Sequence, residues 1–402
     1  ALAYLQARKF HSGFVSVNAA RSMATQTVDQ FNVPSTGLGA RFEIRPPIGA
    51  GVELRLGADY RRTVGETREL FTYVGGLPTR MREAGGNSDT TGAFAELSAE
   101  LGALTLTGGG RIDRWNIRDG RLLERTLATG ALIRNDRPAD RQGWEPTGRV
   151  GLAYDAGRVT LRAAAYLGWR LPTLNELYRP FRVGADATAA NPALQTERSR
   201  GVELGIDWKP VEAVSVRATL FSNRLDRAIA NVTLGAGPGN FPGVGFVAAG
   251  GAYRQRQNLD AIRSNGFELD AQAKVGAWRL SASYAYADAR VRASGIALGL
   301  DGLRPAQVPR HLASATLGWR WLSATARYVS AQFEDDGNLR SLRDAVTLDA
   351  VANIPITHRL SVTLRGENVT NTQVDAAISG GGIVERATPR TLWVGLKLGG
   401  GK

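Results

Sequence analysis

Between residues 159 and 170 the chain changes character at every step. Val159, Leu161, Ala163, Ala165, Leu167 and Trp169 fall on one face of an extended backbone. Thr160, Arg162, Ala164, Tyr166, Gly168 and Arg170 fall on the other. A period of two marks a strand whose faces meet different surroundings. The same alternation sets Val52, Leu54, Leu56, Ala58 and Tyr60 against Glu53, Arg55, Gly57, Asp59 and Arg61, and Leu392, Val394, Leu396 and Leu398 against Thr391, Trp393, Gly395 and Lys397. Carried along the chain, it predicts about sixteen strands: 3–17, 36–46, 50–64, 91–102, 104–117, 145–155, 158–170, 199–209, 214–230, 258–275, 278–291, 309–320, 322–333, 344–355, 359–369 and 388–398.

Two architectures present such strands: a soluble sandwich, and a membrane barrel with lipid outside and a polar lumen inside. Strand length favours the barrel, since most spans exceed the ~5–6 residues usual in soluble sheets. So do the connections, which alternate in length. Segments 45–51, 101–103, 155–158, 209–213, 275–277, 320–323 and 355–359 are short; 72–90, 118–144, 171–197, 231–257, 291–309, 333–343 and 370–388 are long and polar. Short turns at one end and long loops at the other are the pattern of periplasmic turns and extracellular loops. Trp169, Trp208, Trp278, Trp319, Trp321 and Trp393 stand near strand ends, where interfacial girdles sit. The fold class is therefore all-β, a transmembrane antiparallel barrel in the bacterial outer membrane.

Composition narrows the function. No run of apolar residues is long enough for a membrane-crossing helix. The opening "ALAYLQARKFHSGF" lacks the charged-then-apolar order of a secretory leader. The absence of Cys excludes disulfides and thiolate metal sites. A net charge of +13 points to anionic partners, but the arginines are scattered one per strand rather than clustered, which argues against nucleic acid. No nucleophile motif is present, and His11, His311 and His358 lie far apart, so no enzyme is expected. No cofactor is indicated.

One segment breaks the alternation. "RLPTLNELYRPF" (170–181) closes a strand, and "NPALQTERSRGVELGIDW" (191–208) opens the next. This pair resembles the TonB-dependent outer-membrane receptors, through Arg170, Pro172, Thr173, Glu176, Leu177, Tyr178, Asn191, Pro192, Leu194, Glu197, Gly201 and Glu203. "RSNGFELDAQ" (263–272), "FAELSAELGALTLTGGGRIDRW" (94–115), "GENVTNTQVD" (366–375) and "TPRTLWVGLKL" (388–398) extend the resemblance over nearly the whole chain. The resemblance implies a barrel of roughly 22 strands, filled by an N-terminal plug linked to TonB. The single domain, 1–402, is then a partial barrel, with the plug and about six strands expected upstream. It implies TonB-energised uptake of a scarce bulky ligand, a ferric siderophore or cobalamin, by a monomer among lipid and lipopolysaccharide. A passive porin-like channel of sixteen strands is the alternative. Family members end on an aromatic residue; this chain ends in Gly399, Gly400, Gly401 and Lys402.

Candidate ligand contacts are loop aromatics and arginines, which stack on flat groups and pair with carboxylate or phosphate: Phe71, Tyr73, Tyr178, Arg179, Phe181, Arg182, Phe241 and Tyr253. Packing within the loops and contact with lipopolysaccharide phosphates are the competing roles for them. "FEDDGN" (333–338) offers Glu334, Asp335, Asp336 and Asn338 either to Ca²⁺ or to solvent; no metal site is assigned. On the polar faces, Arg55, Arg111, Arg162, Arg217 and Arg365 are expected to pair with Glu53, Asp113, Glu203 and Glu268.

Overall fold

The computed structural model describes residues 1–18, 20–379 and 382–399; Gly400, Gly401 and Lys402 of the expected tail lie outside them. Sixteen strands, each hydrogen-bonded to its neighbours in chain order, and one short added strand, Leu132–Asp136, build one antiparallel sheet. The sixteen are β1 Leu2–Val17, β2 Ala24–Ile44, β3 Val52–Val74, β4 Leu77–Leu101, β5 Leu104–Thr126, β6 Arg141–Asp155, β7 Val159–Arg170, β8 Glu197–Val211, β9 Val214–Asp226, β10 Ala261–Val275, β11 Trp278–Arg292, β12 His311–Trp319, β13 Leu322–Val329, β14 Ala345–Pro355, β15 Leu360–Glu367 and β16 Thr391–Leu398. One short helix, α1 (Leu174–Tyr178), lies in the β7–β8 loop.

The sheet sorts its residues as the alternation requires. Its outward face is apolar and open: Leu204 is 62% exposed, Leu220 60% and Val150 60%. The opposite face carries an ion ladder. Arg55 donates to Glu43 (3.1 Å) and Glu96 (3.0 Å), and Arg111 donates to Asp59 (2.6 Å) and Asp113 (2.5 Å). Arg162 and Arg217 share Asp207 at 3.0 and 2.8 Å. The expected partners were partly wrong. Glu203 accepts instead from the Tyr166 hydroxyl (3.1 Å), and Arg365 pairs with Glu367 two residues along its own strand. Residues two apart on one strand share a face, which brings Arg365 to Glu367, and the long Tyr166 side chain reaches the diagonal neighbour Glu203 across the ladder.

Two expected loops are not loops. Residues 72–90 lie mostly in β3 and β4, which run on to a tight turn at Gly75 and Gly76, both at positive φ (58° and 81°). Residues 118–144 contain the end of β5, a short strand Leu132–Asp136 paired to it, and the start of β6. At ~3.3 Å per residue, the 25 residues of β4 reach about 80 Å, far beyond a ~25 Å apolar band. Outside that band neither face must be apolar, so alternation lapses while pairing continues. Trp208, Trp278, Trp321 and Trp393 are exposed at strand ends, and Trp319 packs on Trp278 (ring centroids 6.1 Å apart). Trp169 instead turns in and donates to Asp113 (2.9 Å).

Glycine gives the inner wall its thickness. Gly201 faces Tyr166 on β7 and Asn223 on β9; a Cβ there would stand 2.6 Å from the Tyr166 ring and 2.1 Å from the Asn223 amide oxygen. Gly110 has nothing within 4 Å of the same position. Gly201→Ala is therefore expected to destabilise the fold by about 1–3 kcal/mol, and Gly110→Ala to leave it nearly unchanged. Urea midpoints in detergent compare the two; equal midpoints would refute the packing role.

Candidate functional site

The break at residues 170–197 folds into a knot over the ends of β7 and β8. Thr173 caps α1, its hydroxyl accepting the Glu176 N–H (3.2 Å) while the Glu176 carboxylate accepts the Thr173 N–H (2.7 Å). This reciprocal box allows a helix of five residues to form at all. Arg170 reaches across with two bonds to Glu176 (2.9 and 3.0 Å) and a third to Glu197. Glu197 in turn accepts the Ile229 N–H of the next loop (2.6 Å). Leu177 and Tyr178 face the core and pack with Trp115, Ile117 and Leu194. Pro172 ends the ladder without leaving an N–H to satisfy.

The other end of the helix is held from a distance. Arg256 donates to the carbonyls of Asn175 (2.6 Å), Arg179 (2.9 Å) and Glu176 (3.4 Å), satisfying groups the helix leaves open. Burial pushes this guanidinium down to about 10, with Glu176 opposing the shift and Arg179 adding to it. Arg256 belongs to a loop strand, Ala252–Asn258, that pairs with Ile229–Ala236 and with Asp186–Ala189. Asn191 ties the same strand down through the Arg256 carbonyl (2.8 Å), and Arg141 holds the Pro192 carbonyl (2.7 Å). Glu69, reaching in from the β3–β4 hairpin and 1% exposed, accepts from Arg82 (2.8 Å) and Arg179 (2.8 Å); Arg82 also donates to Glu124 (2.7 Å) and the Pro180 carbonyl (3.1 Å).

Most of the candidate ligand residues meet in this assembly. Phe71 is buried under the Arg82 guanidinium (4.2 Å to the ring centre) and Phe181 lies under Arg256 (4.9 Å). Phe241 stacks on the buried Tyr253 at 4.7 Å, and Tyr178 is buried beside Gly86 and Gly120. Arg182 is exposed and donates to the carbonyls of Val244 (2.5 Å) and Phe246 (2.7 Å). Tyr73 stands apart, half-buried near the tip of the β3–β4 hairpin. Glu69, Arg82, Glu124 and Arg256 were not singled out from sequence; Glu69 and Arg82 meet across a hairpin, their other partners lie more than 40 residues away, and no local period records such pairing. In "FEDDGN", Asp335 accepts the N–H groups of Leu339 (2.9 Å) and Arg340 (2.8 Å), and Asp336 accepts from Thr233 (2.8 and 2.9 Å). Those carboxylates latch one loop to another; among the described residues no group of three or more His, Cys, Asp or Glu could hold a metal.

A family profile described as "TonB dependent receptor-like, beta-barrel" matches residues 2–369. The chain belongs to that family. Comparison of this receptor-family barrel with curated proteins finds no match. Among solved structures it is similar to the ferric yersiniabactin uptake receptor FyuA from Yersinia pestis (15% identity, TM-score 0.71, covering 98% of this chain and 58% of that one). It is likewise similar to the copper transporter OprC (17%, 0.74, 98% and 62%) and to the ferric-catecholate import receptor Fiu from K12 E. coli (15%, 0.65, 97% and 60%). The chain spans about three-fifths of the length of these structures. At such identity the likeness concerns the fold, and the relatives so named are transport receptors rather than enzymes.

Removing Glu69 leaves the buried Arg82 and the part-buried Arg179 without their shared carboxylate. Glu69→Ala is expected to cost about 3–5 kcal/mol and to free the 170–182 segment, read as increased amide exchange there; unchanged exchange would refute the anchoring role. Acid should loosen the same loops. Burial alone would raise the Glu176 carboxyl, but the Arg170 guanidinium and the Thr173 donors outweigh it and hold it below its ordinary value. Asp335 is held low in the same way by the Leu339 and Arg340 donors against burial, and Asp375 by Arg343. Groups with a lowered folded-state pKa add stability that is complete above the ordinary carboxylate range and is lost as pH falls through the lowered value. Protease nicking of the loops should therefore rise only on the acid side of that range; Glu176→Gln should flatten part of the rise.

Proposed function

We propose that this chain is the barrel of a bacterial outer-membrane receptor that takes up a scarce, bulky, anionic ligand, a ferric siderophore in preference to cobalamin. One observation carries the reading: nearly the whole chain superposes on metal-uptake receptors, and its sheet turns an apolar face outward and an ionic face inward. Among the described residues no helix is long and apolar enough to cross a membrane; in this reading the paired strands of the sheet do the crossing, since a closed barrel satisfies its own backbone groups in lipid. Energy comes from TonB acting through a plug that the barrel surrounds, and the receptor works as a monomer.

The loops select the ligand. Arg182 and Arg179 supply cationic donors to its carboxylates or phenolates, and Tyr73, Phe181 and Phe241 supply flat contacts. Phe71, Tyr178 and Tyr253, already buried, serve by holding those residues in place. No bond of the ligand is made or broken; recognition is by shape and charge. Uptake of ⁵⁵Fe-loaded siderophores by cells expressing the full natural chain tests this. Uptake should require TonB, and Arg182→Ala with Tyr73→Ala should weaken binding roughly tenfold. Open, TonB-independent ion conductance with no chelate uptake would replace this reading with a passive channel.

A further inference from the structure

Four arginines on four adjacent strands stand in one line. Arg200 on β8 faces Arg224 on β9, Arg224 faces Arg263 on β10, and Arg263 faces Arg290 on β11. All four point outward. Stepping two residues at a time toward the short turns, Arg200 leads to Val202 and Leu204, Arg224 to Ser222 and Leu220, Arg263 to Asn265 and Phe267, and Arg290 to Asp288 and Tyr286. The line therefore crosses the outer wall on the loop side of the apolar band, about 13 Å along the strands from its first row at ~3.3 Å per residue.

Like charges facing one another across a sheet destabilise it, and local acids do not cancel these. Asp226 takes Arg200 (3.4 Å) and Arg224, while Asp288 takes Arg290 (3.1 Å) and the neighbouring Arg310 (3.0 Å). Arg263 makes no ion pair among the described residues and is exposed. Five guanidiniums thus meet two carboxylates. The surplus is felt nearby: burial, together with the Arg310 and Arg290 cations, holds the Arg304 guanidinium below its usual range. Directly below the line lies an aromatic belt of Phe267, Tyr284, Tyr286 and His311, with the Tyr284 hydroxyl bonded to His311 Nδ1 (2.8 Å). Such belts sit at headgroup depth.

We propose that this arginine line binds the phosphorylated headgroup of an outer-leaflet glycolipid. The occupant must be anionic at the line and apolar just below it, which a lipid is and a free anion or an acidic protein segment is not. Its chains would lie on Leu204, Leu220 and Leu269, and its phosphates would meet guanidiniums, whose paired donors match phosphate oxygens. Three strand spacings of ~4.8 Å make the line about 14 Å long, enough to engage two phosphates. The inference rests on the outer-membrane reading above.

The test uses the full natural chain, purified in non-ionic detergent, with diphosphorylated and dephosphorylated lipid A as probes and native mass spectrometry as the readout. The diphosphorylated lipid should bind at least tenfold more tightly. Arg224→Gln with Arg263→Gln should remove at least tenfold of that binding; Arg279→Gln with Arg359→Gln, equal in charge but at the short-turn end, should not. Arg263→Gln alone breaks no ion pair and should lose several-fold, so it decides the matter if the double variant fails to fold. Three results would overturn the proposal: equal binding of the dephosphorylated lipid, equal losses in both double variants, or displacement by inorganic phosphate as effective as by the lipid, which would make this a simple anion site. Membrane fractionation separates the two readings. Absence from the outer membrane sinks the functional reading, whereas lipid-independent behaviour of a protein recovered there sinks only the headgroup site.

Discussion

A strand repeats every two residues, so a slip of one position between any two neighbours would carry every charge on that strand into the apolar face and every leucine into the lumen. Register is the constraint on which the remaining features depend. Where the apolar band lies, pairing runs without a break from β10 to β12. The irregularities fall elsewhere: at Phe10/Ser12 and Asp29/Asn32 on the long early strands, at Gly85/Asn87 on the tall hairpin, and beside the short turn at Trp208/Val211. Bulges are admitted where either face tolerates water and avoided where the two faces differ most. The ion ladder of the inner wall and the arginine line of the outer wall are both products of this one registry.

Strand identity was legible because burial against two different media imposes the alternation directly on the sequence. β1 to β16 all overlap spans read from that pattern, including the short ones near the C-terminus, and only the added strand Leu132–Asp136 of the sheet falls where a loop was read. Strand ends were legible only where the band ends. In β4, "EAGGNSDT" (83–90) reads as a loop, since it is polar, glycine-rich and without period, yet it pairs along its length with β3. Its stability comes from ladder hydrogen bonds and cross-strand ions, neither of which needs an apolar face.

The loop knot was legible in part for a related reason. Thr173 and Glu176 form a capping box whose spacing is local, and Arg170, Glu176 and Glu197 are close enough in sequence to be read as one motif. Glu69, Arg82 and Arg256 are not. Glu69 and Arg82 complete the knot from the β3–β4 hairpin and Arg256 from a separate loop strand, and their selection is three-dimensional: a buried carboxylate that already meets one arginine gains from a second, and a short helix with open carbonyls needs a donor from outside its own segment. The aromatic residues that composition marked as ligand contacts are drawn into the same task, because a flat ring beneath a guanidinium is as useful for holding a loop as for gripping a ligand.

Charge placement follows from these layers. Of the 50 basic residues only five are lysine, so nearly every cation is a planar fork able to bridge two acceptors. On the inner wall such forks are used in full, Arg55 and Arg111 each meeting two carboxylates. On the outward face of β8 through β12 the band itself, from Leu204, Leu220, Phe267 and Tyr286 down to Trp278 and Trp319, carries no Asp, Glu, Lys or Arg. One outward-facing row above it the first acid, Asp288, appears, and on the row after that come four arginines abreast. A boundary that sharp is what a hydrocarbon slab imposes from below, since each charge inside it costs kilocalories. It does not explain why cations outnumber carboxylates above it. A water-facing rim would be equally content with Glu or Ser, and mixed signs would relieve the cross-strand repulsion. The excess of one sign, held in line by registry, is the feature that calls for an anion anchored at the same depth.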